Sequence, residues 1–436
     1  MTNITLSTDQ QNAVSKFKKF LRSSTETELA LEGHAGTGKT FLTNYLIDLT
    51  YKINDLNSLV TNSPLPVIED IYLTATTNKA AAVLLQNCSK ISPSRIGTIH
   101  SLLKLKVKND YHTGKKYLTR NDHNFQPMRD SLIIVDEASM VNKELLEAIR
   151  SSCDNCKILY ILDPYQLAPV HENSCPVSEE ISNKITLNKI FRQTGGNNSP
   201  IAMLAEQYRQ VLDGNPFPTI QDNGTSILRV DKDTFRAMIA QEFSSLDHNT
   251  DAAKVLMWTN KAVHSCNNYI RNLHTTSTAP LPGEYMSVNE LTMAKNGRVL
   301  ARPDEIVQIQ HVYPRTATLF GIECHIYDIG RQNNVYAPIN SDDLTRLIKK
   351  TVIEANKRGN WHKFFKIKES FIDLRPVYAS TIHKSQGSTH NKVFINLNDI
   401  AKNRNPHEVA RLMYVATTRA VEQVIFHGNL GPNYGD

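Results

Sequence analysis

Several things are scarce in this 436-residue chain, and each scarcity excludes something. Only six cysteines occur, at irregular intervals, with Cys153 and Cys156 the one close pair. Neither a disulfide framework nor a zinc site is expected from them, and they read as free thiols in a reducing compartment. No apolar run approaches the ~20 residues of a membrane-spanning helix. Met1 to Gln11 is polar and lacks the basic start and apolar stretch of a signal peptide. The expectation is a cytoplasmic protein without a membrane partner. Charge of one sign is also scarce: 49 basic against 43 acidic residues leave +6, so any nucleic-acid groove must come from local placement. Short-period repeats and low-complexity tracts are missing. What remains, 40% hydrophobic and 21% charged, is ordinary for a globular enzyme, and the length calls for two to four domains.

The most informative segment present is Gly33-His34-Ala35-Gly36-Thr37-Gly38-Lys39-Thr40, which fits G-x-x-x-x-G-K-[ST] at every fixed position and follows the apolar run Leu29-Ala30-Leu31. Gly36, Thr37 and Gly38 let consecutive backbone N–H groups turn toward phosphates, Lys39 reaches the β and γ phosphates, and the Thr40 hydroxyl holds Mg²⁺. The next helix begins there, so its positive end also faces the anion. ATP and Mg²⁺ are the expected cofactors.

Short apolar strands alternate with helical stretches through the first half, which implies a parallel sheet covered by helices. Leu29–Leu31, Ile71–Leu73, Leu132–Val135 and Ile158–Leu162 read as buried strands, with helical spacing over Phe41–Leu49 and Lys79–Gln86. The theme resumes at Val255–Trp258 and Val393–Ile395, so a second α/β domain is expected. Two stretches interrupt it. Lys104 to Met128 is basic and reads as a protruding hairpin around Asp110–Gly114. Ile270 to Pro376 reads as a β-rich insertion carrying one basic helix near Leu344–Lys357.

About a hundred residues beyond the loop, a strand ends in Val135-Asp136-Glu137-Ala138-Ser139. Asp136 would hold the Mg²⁺ shell and Glu137 would activate the attacking water. The next strand ends in Leu162-Asp163-Pro164-Tyr165-Gln166, and Gln166 at the carboxyl edge of the same sheet is a candidate γ-phosphate sensor.

These three motifs in register resemble those of superfamily 1 helicases, and the downstream half supplies matching segments. Tyr378 to Gly387 resembles the fifth motif, Tyr414 to Ala420 the sixth, and Leu187 to Arg192 the fourth; Leu6 to Ala13 resembles the adenine-reading glutamine motif, with Gln10 in the reading position. His383-Lys384-Ser385-Gln386-Gly387 is similar to the RecD/Dda-like branch of DNA helicases. The resemblance implies an α/β fold of two RecA-like P-loop motor domains with parallel sheets, plus a small hairpin insertion and a β-rich, SH3-like insertion. The implied division is 1–102 with 129–195 for the first motor, 103–128 for the pin, 196–269 with 377–436 for the second motor, and 270–376 for a tower. Arg192 and Arg419 would reach the nucleotide from the far side of a composite cleft, where an arginine finger contributes about 10³ to 10⁵ in rate.

The resemblance further implies movement on single-stranded DNA, 5′ to 3′, by a monomer at a duplex fork, with a single-strand DNA-binding protein as a candidate partner. A phage-encoded member would act in the host cytoplasm. Thr76, Asn78, Lys79, Thr98 and His100 would grip the strand from the first motor, and Thr259, Asn260, Thr381, His383 and Lys384 from the second, through phosphate contacts that ignore sequence. Tyr117 is the candidate stacking residue on the pin, with Tyr111 second. Trp361 and Phe364-Phe365 either brace the pin or fill a small core. Two positions depart from the pattern: Leu162 stands where the third motif usually has Gly, and Ala168 where Pro or Arg is usual. A strand-bound translocase that strips proteins, and a nucleotide-gated scaffold without turnover, are the competing readings. RNA as substrate stays open.

Overall fold

Segments that are apolar at every position, such as Leu132-Ile133-Ile134-Val135, can be buried only if both faces of their sheet are covered, and two parallel sheets result. A computed structural model describes residues 6–58, 68–109, 116–120, 126–169, 172, 174–191, 196–245, 251–294, 296–331 and 334–434. The first sheet has six strands in the order Lys184–Leu187, Glu28–Gly33, Lys157–Leu162, Ser131–Asp136, Asp70–Ala75, Ile96–Thr98, all parallel. Period-two alternation divides its side chains between two cores: Leu29, Leu31, Leu132 and Ile134 pack in one, Ala30, Ile133 and Val135 in the other. The second sheet has five parallel strands ordered Ile227–Val230, Ala420–His427, His390–Asn396, Ala253–Met257, Ala379–Thr381. Val393 and Ile395 again face one core and Phe394 the other.

Most of the motifs sit where a strand of one of these sheets ends, the segments Leu6–Ala13 and Tyr414–Ala420 excepted, which lie mostly on helices Thr8–Arg22 and Pro406–Thr418. Gly33, Ala75, Thr98, Asp136 and Leu162 are the last strand residues of the first sheet, and Met257 and Thr381 those of the second. Open parallel sheets bind ligands at this carboxyl edge because the loops there diverge and the following helices point their N–H groups outward. The expected helices are found and are longer than their apolar spacing suggested: Lys39–Ser58 and Asn78–Asn87.

The basic stretch forms an antiparallel pair, Leu105–Asn109 with Lys116–Arg120, placing Lys108 opposite Tyr117. The β-rich stretch is antiparallel, as expected of segments with turns between them. Tyr285–Val288 pairs with Ile306–Gln308 and Leu374–Pro376, and His311–Leu319, Ile322–Asp328 and Val335–Pro338 form a meander. The basic helix spans Ser341–Arg358, started by the Asn340 side chain and stopped by Gly359 at φ 60°. A second helix, His362–Lys368, follows it where none was expected. Phe364 meets Trp361 and Phe365 edge-on, with ring centroids 5.2 and 5.0 Å apart.

Candidate active site and nucleic-acid groove

The phosphate loop turns from strand Glu28–Gly33 into helix Lys39–Ser58 through Gly36 at φ 85° and Gly38 at φ 79°, a backbone region that L side chains rarely adopt. A Cβ at Gly33 would lie 2.7 Å from Thr37 Oγ1, so the turn closes only around glycine. Thr37 is buried and donates to the His34 carbonyl at 2.8 Å, which makes its hydroxyl a brace of the loop. Lys39 Nζ donates to the carbonyls of Gly33 (2.6 Å) and His34 (3.0 Å), a hold from which a rotatable ammonium can turn to phosphate oxygens.

Gln10 is buried against the loop. Its Oε1 accepts the Ser7 N–H at 3.1 Å in a capping box, and its Nε2 sits 3.2 Å from where a Gly38 Cβ would be. Beside it lies a residue that sequence reasoning passed over. Phe191 donates its N–H to the Gly36 carbonyl at 2.7 Å and keeps 49% of its surface exposed at the lip of the cleft, offering a ring face for stacking. Arg192, the next residue, lies outside the described residues.

Asp136 ends strand Ser131–Asp136, separated from the phosphate-loop strand by Lys157–Leu162, and accepts the Glu137 N–H at 2.9 Å. Burial, reinforced by the adjacent Glu137 carboxylate, pushes its carboxyl up to about 7. Glu137 adopts φ 51°, a left-handed conformation costing roughly 1–2 kcal/mol for a non-glycine residue. From the other sheet, Gly387 closes on it: a Cβ there would stand 3.5 Å from Glu137 Oε1.

Gln166 is 3% exposed, donates from Nε2 to Asp163 Oδ2 at 3.3 Å, and has no hydrogen-bond partner for Oε1 among the described residues. Arg419 caps helix Pro406–Thr418 and is 1% exposed, with Nε donating to the Val415 carbonyl (3.1 Å), one terminal nitrogen to the Ser388 carbonyl (3.2 Å) and the other to Thr418 Oγ1 (3.0 Å). Burial lowers the guanidinium pKa, and the Glu137 carboxylate opposes that shift. One cleft of about 390 Å³ gathers Gly36, Gly38, Lys39, Thr40, Asp136, Glu137 and Gln166 from the first lobe with Gly387 and Arg419 from the second.

A groove of about 740 Å³ passes between helix Asn78–Asn87, the end of strand Ile96–Thr98 and the insertion segment Val299–Ile306. A smaller cavity beside it shares Lys79, Asp304 and Ile306 and adds Lys254, Asn260, Thr381 and Lys384. Asn78, Lys79 and Thr98 from one lobe and Asn260, Thr381 and Lys384 from the other thus border one continuous trough. Lys384 pairs with Asp304 at 2.8 Å and bonds Asn289 Oδ1 at 3.2 Å, while Lys79 bonds Ser388 Oγ across the lobes.

Other predicted contacts are used locally. The Thr259 hydroxyl donates to Asp399 Oδ1 at 2.8 Å and accepts from Ala262 N–H at 3.2 Å, so it caps its helix. Thr98 accepts from Ser101 N–H at 3.2 Å, Thr381 from Lys384 N–H at 3.3 Å, and Thr76 bonds the Glu137 carbonyl at 3.4 Å. His100 is half-buried, and desolvation lowers its pKa. His383 is exposed. Neither histidine, nor Thr76 or Thr259, borders the trough. The Tyr117 side chain and all of Tyr111 lie outside the described residues.

Comparisons with known proteins agree with this geometry. Residues 18–172 match the family described as an AAA domain, and residues 376–426 match the UvrD-like helicase C-terminal domain. The two matched segments lie in different lobes and meet at one cleft, so the chain resembles helicases of superfamily 1 in both of its parallel-sheet lobes. Over nearly its whole length it is similar to the ATP-dependent DNA helicase dda of Enterobacteria phage T4, 24% identical across 98% of this chain and all (100%) of that protein. An uncharacterized protein of Acanthamoeba polyphaga mimivirus is also 24% identical, over 96% of this chain and 99% of its own. Among solved structures, the Pif1 helicase from Bacteroides with ADP-AlF3 and ssDNA covers 99% of this chain and 94% of its own at 14% identity and TM-score 0.49. No helix among the described residues is long and apolar enough to cross a membrane.

Proposed function

We propose that this protein is an ATP-dependent DNA helicase that translocates 5′ to 3′ on single-stranded DNA and separates the duplex ahead. The observation that carries the reading is the composite cleft, in which Arg419 and Gly387 of one lobe face Lys39, Asp136, Glu137 and Gln166 of the other. Hydrolysis in such a cleft requires the lobes to close, and the trough bordered by both lobes changes grip as they do. Lys39 holds the phosphates, Glu137 takes the proton of the attacking water, Gln166 orients that water, and Arg419, with Arg192, stabilises the leaving charge. Thr40 and Asp136 offer the hard oxygens that Mg²⁺ takes when water and phosphate complete its shell, and the ion would neutralise charge on the phosphates. Phe191 and Gln10 would hold the adenine.

The described residues of the cleft all come from one chain, which supports action as a monomer. Kinship with phage and viral proteins supports work in a host cytoplasm. The deciding experiment is strand displacement on 5′-tailed and 3′-tailed duplexes, with Lys39→Ala as control. Unwinding of the 5′-tailed substrate and loss of ATPase in the control are expected. Preference for the 3′ tail would reverse the direction, and protein displacement without unwinding would define a translocase. Full ATPase in Lys39→Ala would overturn the motor itself.

A further inference from the structure

Behind the residues that line the cleft, the two lobes share a buried hydrogen-bond chain. The Tyr414 hydroxyl, on helix Pro406–Thr418, accepts the Ala35 N–H of the phosphate loop at 3.2 Å and donates to Asp163 Oδ2 at 2.7 Å. That same oxygen accepts from Gln166 Nε2 at 3.3 Å, and Asp163 Oδ1 accepts the Tyr165 N–H at 3.2 Å. Tyr414 is 2% exposed and Asp163 fully buried. One turn earlier on the helix, Arg411 donates to the Gln166 carbonyl at 2.7 Å and the Pro164 carbonyl at 3.4 Å. The helix that ends at Arg419 is therefore bolted to the loop that carries Gln166.

The chain has a direction. A carboxylate only accepts, so Asp163 fixes the Gln166 carboxamide with its NH₂ end inward, leaving Oε1 without a partner among the described residues beside the cleft. An acceptor in that position suits a hydrogen of the attacking water. The ring of Tyr414 packs in a core built mainly of second-lobe residues, a task phenylalanine performs equally; its hydroxyl is the part that hydrogen-bonds to the other lobe.

We infer that Tyr414 is a positioning residue for hydrolysis: its hydroxyl ties Asp163 to Ala35 only when the lobes meet, so that the carboxylate that aims Gln166 is held in place for the attack of the water in the closed state. This role rests on the reading of the cleft as an ATPase site. The test is Tyr414→Phe, Asp163→Asn and the double variant, assayed for ssDNA-stimulated ATPase and thermal stability. Each single change should lower kcat about tenfold or more while KM for ATP stays within about threefold, because the aim of Gln166 and not the phosphate grip is lost. The double variant should be no more than about twofold slower than the slower single, the mark of one shared chain. A Tyr414→Phe kcat within about twofold of wild type, or losses that multiply in the double variant, would overturn the role. So would a loss of rate matched by a loss of folded protein. Wild type without any ATP turnover, with or without ssDNA, would instead overturn the ATPase reading, leaving the variants nothing to report on.

Discussion

In the proposed function the trough between the lobes holds the DNA strand; Asp304 places an anion among its cations, so removing that charge should tighten DNA binding. Its Oδ1 lies 2.8 Å from Lys384 Nζ, and its charge also acts on Lys79. The residue sits at φ 64°, a conformation that Asn tolerates as readily as Asp, so Asp304→Asn removes charge without new backbone strain. Two unit charges at that separation attract by about 1.5 kcal/mol in water-like surroundings. The two side chains are 42% and 43% exposed, so screening and side-chain entropy reduce the pair to about 0.2–1 kcal/mol. A phosphate reaching Lys384 must displace this pair. Its removal should therefore lower Kd for a single-stranded oligonucleotide about 1.4- to 5-fold. One more cation also becomes available to neutralise a phosphate, so the slope of log K against log salt should steepen by about 0.7. Fluorescence anisotropy with a labelled oligonucleotide across a salt series reads both quantities. Unchanged or weaker affinity with an unchanged slope would refute the placement of the strand against Lys384.

Two further predictions concern stability. Lys254 donates to the Val377 carbonyl, and burial, then repulsion from Lys79, lowers its pKa from 10.5 to about 7. Between those values the unfolded chain binds more protons than the folded one, so stability rises with pH across that window; urea unfolding should show wild type gaining about 2 kcal/mol more than Lys254→Met between roughly pH 7 and 9. Parallel pH profiles for the two would count against the burial. In the Arg271–Glu284 pair, 2.7 Å apart with side chains 8% and 1% exposed, Glu284→Ala strands a buried guanidinium and should cost about 3–5 kcal/mol in denaturant unfolding. A loss below about 1 kcal/mol would show that the Ser277 and Ala279 carbonyls suffice for Arg271.

The motor strands and the motifs after them were legible because one local rule writes both. A doubly covered parallel strand must be a continuous apolar run, and the chemistry begins at its carboxyl end, so Leu132–Val135 announces Asp136 and Leu29–Leu31 announces Gly33. Edge strands such as Ile96–Thr98 and Lys184–Leu187 were missed because they are short and less apolar. Within the site, residues whose role is set by type and spacing could be named in advance: Lys39, Asp136, Glu137, Gln166 and Arg419 share the cleft. Thr259 shows the opposite case, since a threonine ahead of a helix reads the same whether it grips a phosphate or caps its own backbone, and Asp399, 140 residues away, decides for the cap.

The sequence by itself determined the phosphate loop, the acidic pair and the division into two α/β halves, because each rests on contacts within a few residues or on a strand's own periodicity. Tertiary structure alone decided that Asp304 pairs with Lys384 of the trough, and that Tyr414 meets Ala35 and Asp163 across 379 and 251 residues. No local pattern encodes such meetings. They arise when two sheets, each stable through its own core, bring their carboxyl edges together, and partners at that distance are chosen by packing geometry.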